Sequence, residues 1–403
     1  MNSHAKNLAF VALLFLILFA CVEKGMEWLN YPASPVMGWS WEQSPYRGEI
    51  NRDDHQVNQL GLRGQKIAYT DQDKVVLLVG DSQVEAGTQR ADHLPEALLQ
   101  AALRAKLGSD QIKVFSIAAA GWGQDQQLLA LGKYFTQFRA DLVLVWPTPV
   151  NDYWENTFVD RSVTPEAGRL KPTFQLVGEQ LIQVLPERRE WKLQNLIDLA
   201  RANAGKTQKM SMEQVYLNRW LKQLPSTVRA NTHAADCPKE EVAESRLIEA
   251  YWQGKRAYTL LANEDVAHSR SHFSPFLSEL SERDQYAIAV THRLLSEIKL
   301  LTQAHSASFA IFHGYRNDLD AAFQEIKCVK QVGNAQVFAY DGSDWLRYLK
   351  RSSLQKDLIS LTLEASHPLN VAEGDWHLGE EGNRLVMEAL ATRLAQHKSL
   401  HPH

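Results

Sequence analysis

Cysteine is scarce, with 3 in 403 residues. That is too few for a disulfide scaffold, and the CxxC spacing of a zinc site is missing. Charge of one sign does not dominate. Lys+Arg is 43 against Asp+Glu 47, a formal net charge of −4, and no basic run or stripe occurs. The chain is therefore a poor candidate for a phosphate-backbone binder, and no nucleic acid partner is expected. Long apolar runs are absent with one exception, which excludes a polytopic membrane protein. None of the 14 histidines sits in HExxH or in a cluster at ligand spacing, so no metal or other cofactor is expected. Gly121-Trp122-Gly123 lacks the later glycine of a dinucleotide loop. With 45% apolar and 22% charged residues, wholesale disorder is also excluded.

The exception is Leu8–Val22, LAFVALLFLILFACV, led by Lys6 and followed by Glu23, Lys24 and Glu27. A bilayer span takes about 20 apolar residues, so this run is short for a span and long for a cleaved signal core. Three readings stay open: an uncleaved signal anchor, a lipoprotein signal modified at Cys21, and a cleaved signal. Each places the rest of the chain outside the cytoplasm, membrane-anchored in the first two. There Cys237 and Cys328 either pair or stand as two free thiols.

Residues 23–70 are rich in Trp, Tyr, Pro and Gly and read as an irregular lead-in wrap. Lys74–Val79, KVVLLV, suits a strand buried on both faces. A helix is expected over His93–Leu107, a strand at Ile112–Ile117, a helix over Gln127–Phe138 and a strand at Leu142–Trp146. After Asn156 the pattern loosens. Residues 157–275 read as an insertion, with a hairpin at Phe174–Val184 turning near Gly178 and helical stretches near Leu193–Ala204 and Met212–Leu224. Glu279–His305 reads as a long amphipathic helix, Ser308–Phe312 as a fourth strand, Val337–Tyr340 as a fifth and Gly379–Gln396 as a closing helix. Alternating strands and helices imply a parallel five-stranded sheet covered on both faces, an α/β architecture. The core should then comprise 71–156 and 276–403, with the insertion between strands three and four. Ligands of such sheets bind beyond the C-terminal strand ends.

Polar features stand at that edge. Gly80-Asp81-Ser82 follows the first strand, Ala120-Gly121-Trp122-Gly123 the second and Asn151-Asp152 the third, while Asp375-Trp376-His377 precedes the last helix. Taken singly they read as a helix cap, a turn, an Asx turn and a capping histidine. Their joint placement supplies a nucleophile, oxyanion donors, a base and an orienting carboxylate.

VVLLVGDSQVEAG, VFSIAAAGWGQDQ, LVWPTPVNDYW and DWHLGEEGN together resemble the blocks of the SGNH (GDSL-like) esterase and acyl-hydrolase family. The lead-in NQLGLRG and the hairpin KPTFQLVGEQLIQV resemble features of its longer, membrane-anchored bacterial members. The resemblance implies a three-layer α/β/α, flavodoxin-like fold. It implies Ser82 as nucleophile, His377 as base and Asp375 as its acid, with Glu373 and Asp152 as alternative carboxylates. Ser82, Gly121 and Asn151 would form the oxyanion hole. Gln83, Pro149 and Ser116 stand where members commonly carry an apolar residue, Gly and Asn. The implied activity is serine ester hydrolysis through an acyl-enzyme, with an O-acetyl ester of an extracytoplasmic glycan as the leading substrate and a lipid ester as the alternative. An O-acyltransferase with the same triad, or a noncatalytic glycan-binding assembly protein, remain open. Trp191, Trp220 and Trp252 of the insertion either stack on sugar rings or pack its own core.

Overall fold

The computed structural model describes residues 7, 10–21, 57–87, 89–157, 172–184, 197, 200–201, 203–205, 242–243, 274–314, 328–330, 337–339, 346–361, 363, 369, 371 and 377–401. In chain order the elements are β1 (Lys74–Gly80), α1 (Ser82–Glu85), α2 (Pro95–Leu107), β2 (Ile112–Ala118), α3 (Gln124–Tyr134), β3 (Leu142–Val145) and α4 (Pro149–Glu155). Then follow β4 (Thr173–Val177), β5 (Gln180–Val184), β6 (Val242–Ala243), α5 (Glu282–Ala304), β7 (Ser308–His313), β8 (Cys328–Lys330), β9 (Val337–Ala339), α6 (Arg347–Lys350), β10 (Leu358–Ser360) and α7 (Glu380–Leu394).

Five strands form one parallel sheet in the order β10-β7-β3-β1-β2. In order along the chain this is 2-1-3-4-5, which has its switch point between β1 and β3. The continuous apolar run of β1 is explained by its two faces. Val75, Leu77 and Val79 enter one core with Ala130 and Leu131 of α3 and Leu295 and Ile298 of α5. Val76 and Leu78 enter the other with Leu99 and Leu103 of α2 and Val386, Met387 and Leu390 of α7. Successive residues of a strand point to opposite faces, so each residue of the run meets a helix layer. The result is a three-layer α/β/α fold in which residues 146–307, α5 of the core among them, connect the third and fourth strands of the sheet.

The hairpin β4–β5 pairs antiparallel from Thr173↔Val184 to Val177↔Gln180 and turns at Gly178. One expectation is corrected. Val337–Ala339 is a strand, but it pairs antiparallel with β8 in a separate small sheet with β6. The fifth strand of the main sheet is β10, beside β7. Apolar alternation marks a strand without naming its partner, and the three half-exposed residues of edge strand β10 carry almost no signal.

Residues 10–21 are helical and exposed, and no helix among the described residues is long and apolar enough to cross a membrane. The expected helices at 193–204 and 212–224 fall largely or wholly outside the described residues, as do the three tryptophans of the insertion.

Candidate active site

The first loop at the C-terminal edge is set by close packing. A Cβ on Gly80 would lie 2.4 Å from Val84 Cγ2 and 3.2 Å from the Trp146 carbonyl oxygen. Only a residue without a side chain lets the chain turn there. Asp81 caps the one-turn helix α1 by accepting from the Gln83 N–H at 2.9 Å. Ser82 is its first residue and is 5% exposed. The turn ends at Ala86, whose φ of 45° is unusual for a residue with a Cβ. Buried Arg63 holds it in place by donating to the carbonyls of Glu85 (3.4 Å), Ala86 and Gln89.

Beyond β2, the Trp122 N–H donates to the Ala119 carbonyl at 3.1 Å. Gly121, third in that turn, has φ 72°, which is the signature of a type II turn and the reason for glycine there. Beyond β3, the backbone of Asn151 lies in α4; its side chain is outside the description. Asp152 accepts at its Oδ2 from the Thr148 N–H and from Gln124 Nε2, each at 2.7 Å. Its Oδ1 has no hydrogen-bond partner among the described residues. Burial, reinforced by the carboxylates of Asp81 and Glu155, pushes the Asp152 carboxyl well above the usual carboxylate range. Asp152 is thus engaged within its own helix turn and with α3, not with His377.

Ser82 and His377 meet. His377 Nε2 lies 2.9 Å from Ser82 Oγ across 295 residues of sequence. His377 sits just before α7, where its carbonyl accepts from the Val371 N–H at 2.8 Å and the Gly379 N–H donates to the Leu369 carbonyl at 2.7 Å. Asp375 and Glu373 lie outside the described residues. A hydroxyl against an imidazole nitrogen, with a glycine turn and a helix opening beside it, can in chemical terms activate an alcohol for attack on a carbonyl. Among the described residues no group of His, Cys, Asp and Glu is arranged to hold a metal ion.

Two features of the site escaped sequence reasoning. One is a buried polar network behind it. Asn156 Nδ2 donates to Gln124 Oε1 (2.6 Å) and Thr291 Oγ1 (2.8 Å), its Oδ1 accepts from the Asp125 N–H (3.2 Å), and Thr173 Oγ1 donates to Asp125 Oδ2 (2.6 Å). The run Gln124-Asp125-Gln126-Gln127, fully buried at the start of α3, is its trace in the sequence. The other is the set of contacts made by Arg63, Gln83 and Gln89 around α1, for which the sequence offers no signal.

No family model and no curated protein matches this chain. Solved structures similar to it include the following two. One is described as an acetyl xylan esterase, at 12% identity and a TM-score of 0.26, covering 79% of this chain and 99% of its own. The other is described as a GDSL-like lipase from Parabacteroides merdae, at 13% identity and a TM-score of 0.25, covering 82% and 99%. Similarity at this level carries no functional argument, which rests on the residues of this chain.

Proposed function

We propose that this protein is a serine ester hydrolase of the SGNH type. The observation that carries the reading is the 2.9 Å approach of His377 Nε2 to Ser82 Oγ at the C-terminal edge of the sheet, beside the switch point where such sheets receive ligands. Ser82 Oγ attacks the acyl carbon and its proton passes to His377 Nε2. Asp375 orients the imidazole and stabilises its charged form. The backbone N–H groups of Ser82 and Gly121 and the amide of Asn151 receive the oxyanion. Collapse of the intermediate breaks the ester C–O bond, and the leaving alcohol takes the proton from His377. Water, deprotonated by the same imidazole, then releases the acid and restores Ser82.

The substrate is an acyl ester, an O-acetyl group on an extracytoplasmic glycan, and the chain is exported and held at the membrane by its N-terminal segment. Support for the compartment comes from the apolar run at residues 8–22 and from Cys328, which is disulfide-bonded, a state that persists in oxidising compartments.

Ser82→Ala tests the chemistry. Hydrolysis of p-nitrophenyl acetate should fall by roughly 10³-fold or more, with the circular dichroism spectrum unchanged. A variant that keeps its rate would remove Ser82 from the mechanism. Acetate release from an O-acetylated glycan, compared with fatty-acid release from phospholipid, tests the substrate class. Acetate moved to an added glycan instead of released would identify a transferase.

A further inference from the structure

Two glutamines bridge the serine turn and the histidine loop. Gln83 Oε1 accepts from the Leu378 N–H at 3.5 Å, and Gln89 Nε2 donates to the Leu378 carbonyl at 3.3 Å. Both are buried, 5% and 4% exposed. Their polarity is complementary: one amide offers an oxygen to the backbone donor, the other a nitrogen to the backbone acceptor of the same residue. Leu378 follows His377 directly, so holding its two polar atoms fixes the peptide from which the imidazole hangs. Among the described residues, the backbone bonds of this loop, Val371 N–H to the His377 carbonyl, Gly379 N–H to the Leu369 carbonyl and Asn383 N–H to the Gly379 carbonyl, stay within the C-terminal part of the chain and would travel with it. Asn383 Nδ2 also donates to the Leu378 carbonyl, at 3.4 Å, from α7. The glutamine bonds instead cross 289 and 295 residues to the serine side. Gln89 is itself anchored, because Arg63 donates to its carbonyl and to that of Ala86.

We propose that Gln83 and Gln89 are positioning residues, a clamp on the backbone of Leu378 that holds His377 Nε2 in line with Ser82 Oγ. The inference rests on the reading of Ser82 as nucleophile and His377 as base. A misplacement of about 1 Å in such a pair costs on the order of 10²-fold in rate. Methionine is close to glutamine in length and removes the polar amide.

The test is the rate at which a fluorophosphonate probe labels Ser82, together with kcat and KM for p-nitrophenyl acetate. In Gln83→Met/Gln89→Met, labelling and kcat should fall about 10- to 100-fold while KM stays within about twofold. In a His377→Ala background, where labelling is slow and followed over hours, the same pair of substitutions should add no further loss, because residues acting through one group are non-additive. A merely structural pair would slow both backgrounds by the same factor, and that result overturns the clamp, as does a double variant that labels at the wild-type rate. If the double variant does not fold, Gln89→Glu sets an oxygen against the Leu378 carbonyl and carries the same expectations. Failure of the wild-type protein to label at Ser82 would instead overturn the nucleophile on which the clamp depends.

Discussion

Glu96 is a carboxyl group sealed in the core, 2% exposed on α2. Ser116 Oγ donates to its Oε2 at 2.5 Å, and the Gln65 N–H donates to its Oε1. It therefore fastens β2 and the lead-in segment that carries Arg63, which in turn holds the end of α1. Burial outweighs these hydrogen bonds and the nearby Arg63 charge, and pushes the group up from 4.5 to about 7. The unfolded chain loses this proton near 4.5 and the folded chain near 7, so the native state binds more protons between the two values. Its contribution to stability is complete below pH 4.5 and is lost as pH rises through 7, on the order of 3 kcal/mol in all. Glu96→Gln imitates the protonated form at every pH. Thermal melts should show wild-type stability declining from pH 5 to pH 8 and a smaller decline in the variant. Parallel declines would show that Glu96 does not titrate in this range.

Helices α3, α4 and α5 are joined by buried polar contacts in addition to the apolar core that α3 and α5 share. Asn156, 1% exposed just after α4, bonds to Gln124 and Asp125 of α3 and to Thr291 of α5. Asn156→Ala would leave several buried polar groups without their partner, at about 1–3 kcal/mol each. A loss of about 2–4 kcal/mol in urea titration is expected, with slower hydrolysis of p-nitrophenyl acetate because α4 carries Asn151, the proposed oxyanion donor. A variant as stable as the wild type would mean that water replaces the amide. The contrast with β1 explains what the sequence discloses at this scale. A strand between two helix layers must be apolar throughout, so β1, β2, β3 and β7 are legible as runs. A buried glutamine or asparagine looks like a surface residue in sequence, because its partners come from distant elements. The fifth strand is hidden in the sequence for a related reason: pairing is a long-range fact, and Val337–Ala339 is by its residues a better strand than Leu358–Ser360.

Across the whole molecule, the parallel topology carries the site. Sheet order 2-1-3-4-5 sends the ends of β1, β2 and β3 to one edge, so Ser82, Gly121 and Asn151, which follow these strands, could be singled out together, although the roles proposed for them come from the family resemblance. His377 could be singled out with them because the same resemblance puts a histidine before the closing helix. The clamp by Gln83 and Gln89 could not, since it is made of two residues whose only mark is where Leu378 comes to rest. The compartment is the remaining property of the whole chain. Cys328 is buried on β8 and disulfide-bonded, Cys21 is free, and Cys237, the expected partner, lies outside the described residues. A bridge from 237 to 328 closes a loop of about 90 residues, which removes about 4–5 kcal/mol of chain entropy from the unfolded state. Protein recovered from an oxidising compartment should yield, after digestion without reductant, one peptide pair joining Cys237 and Cys328. Cys328→Ser should lower the melting temperature of the exported protein, and should lower that of protein made in a reducing cytoplasm by less, since there only the buried thiol is lost. An alkylatable thiol at Cys328 in the exported, unreduced protein would contradict both the bridge and its support for export.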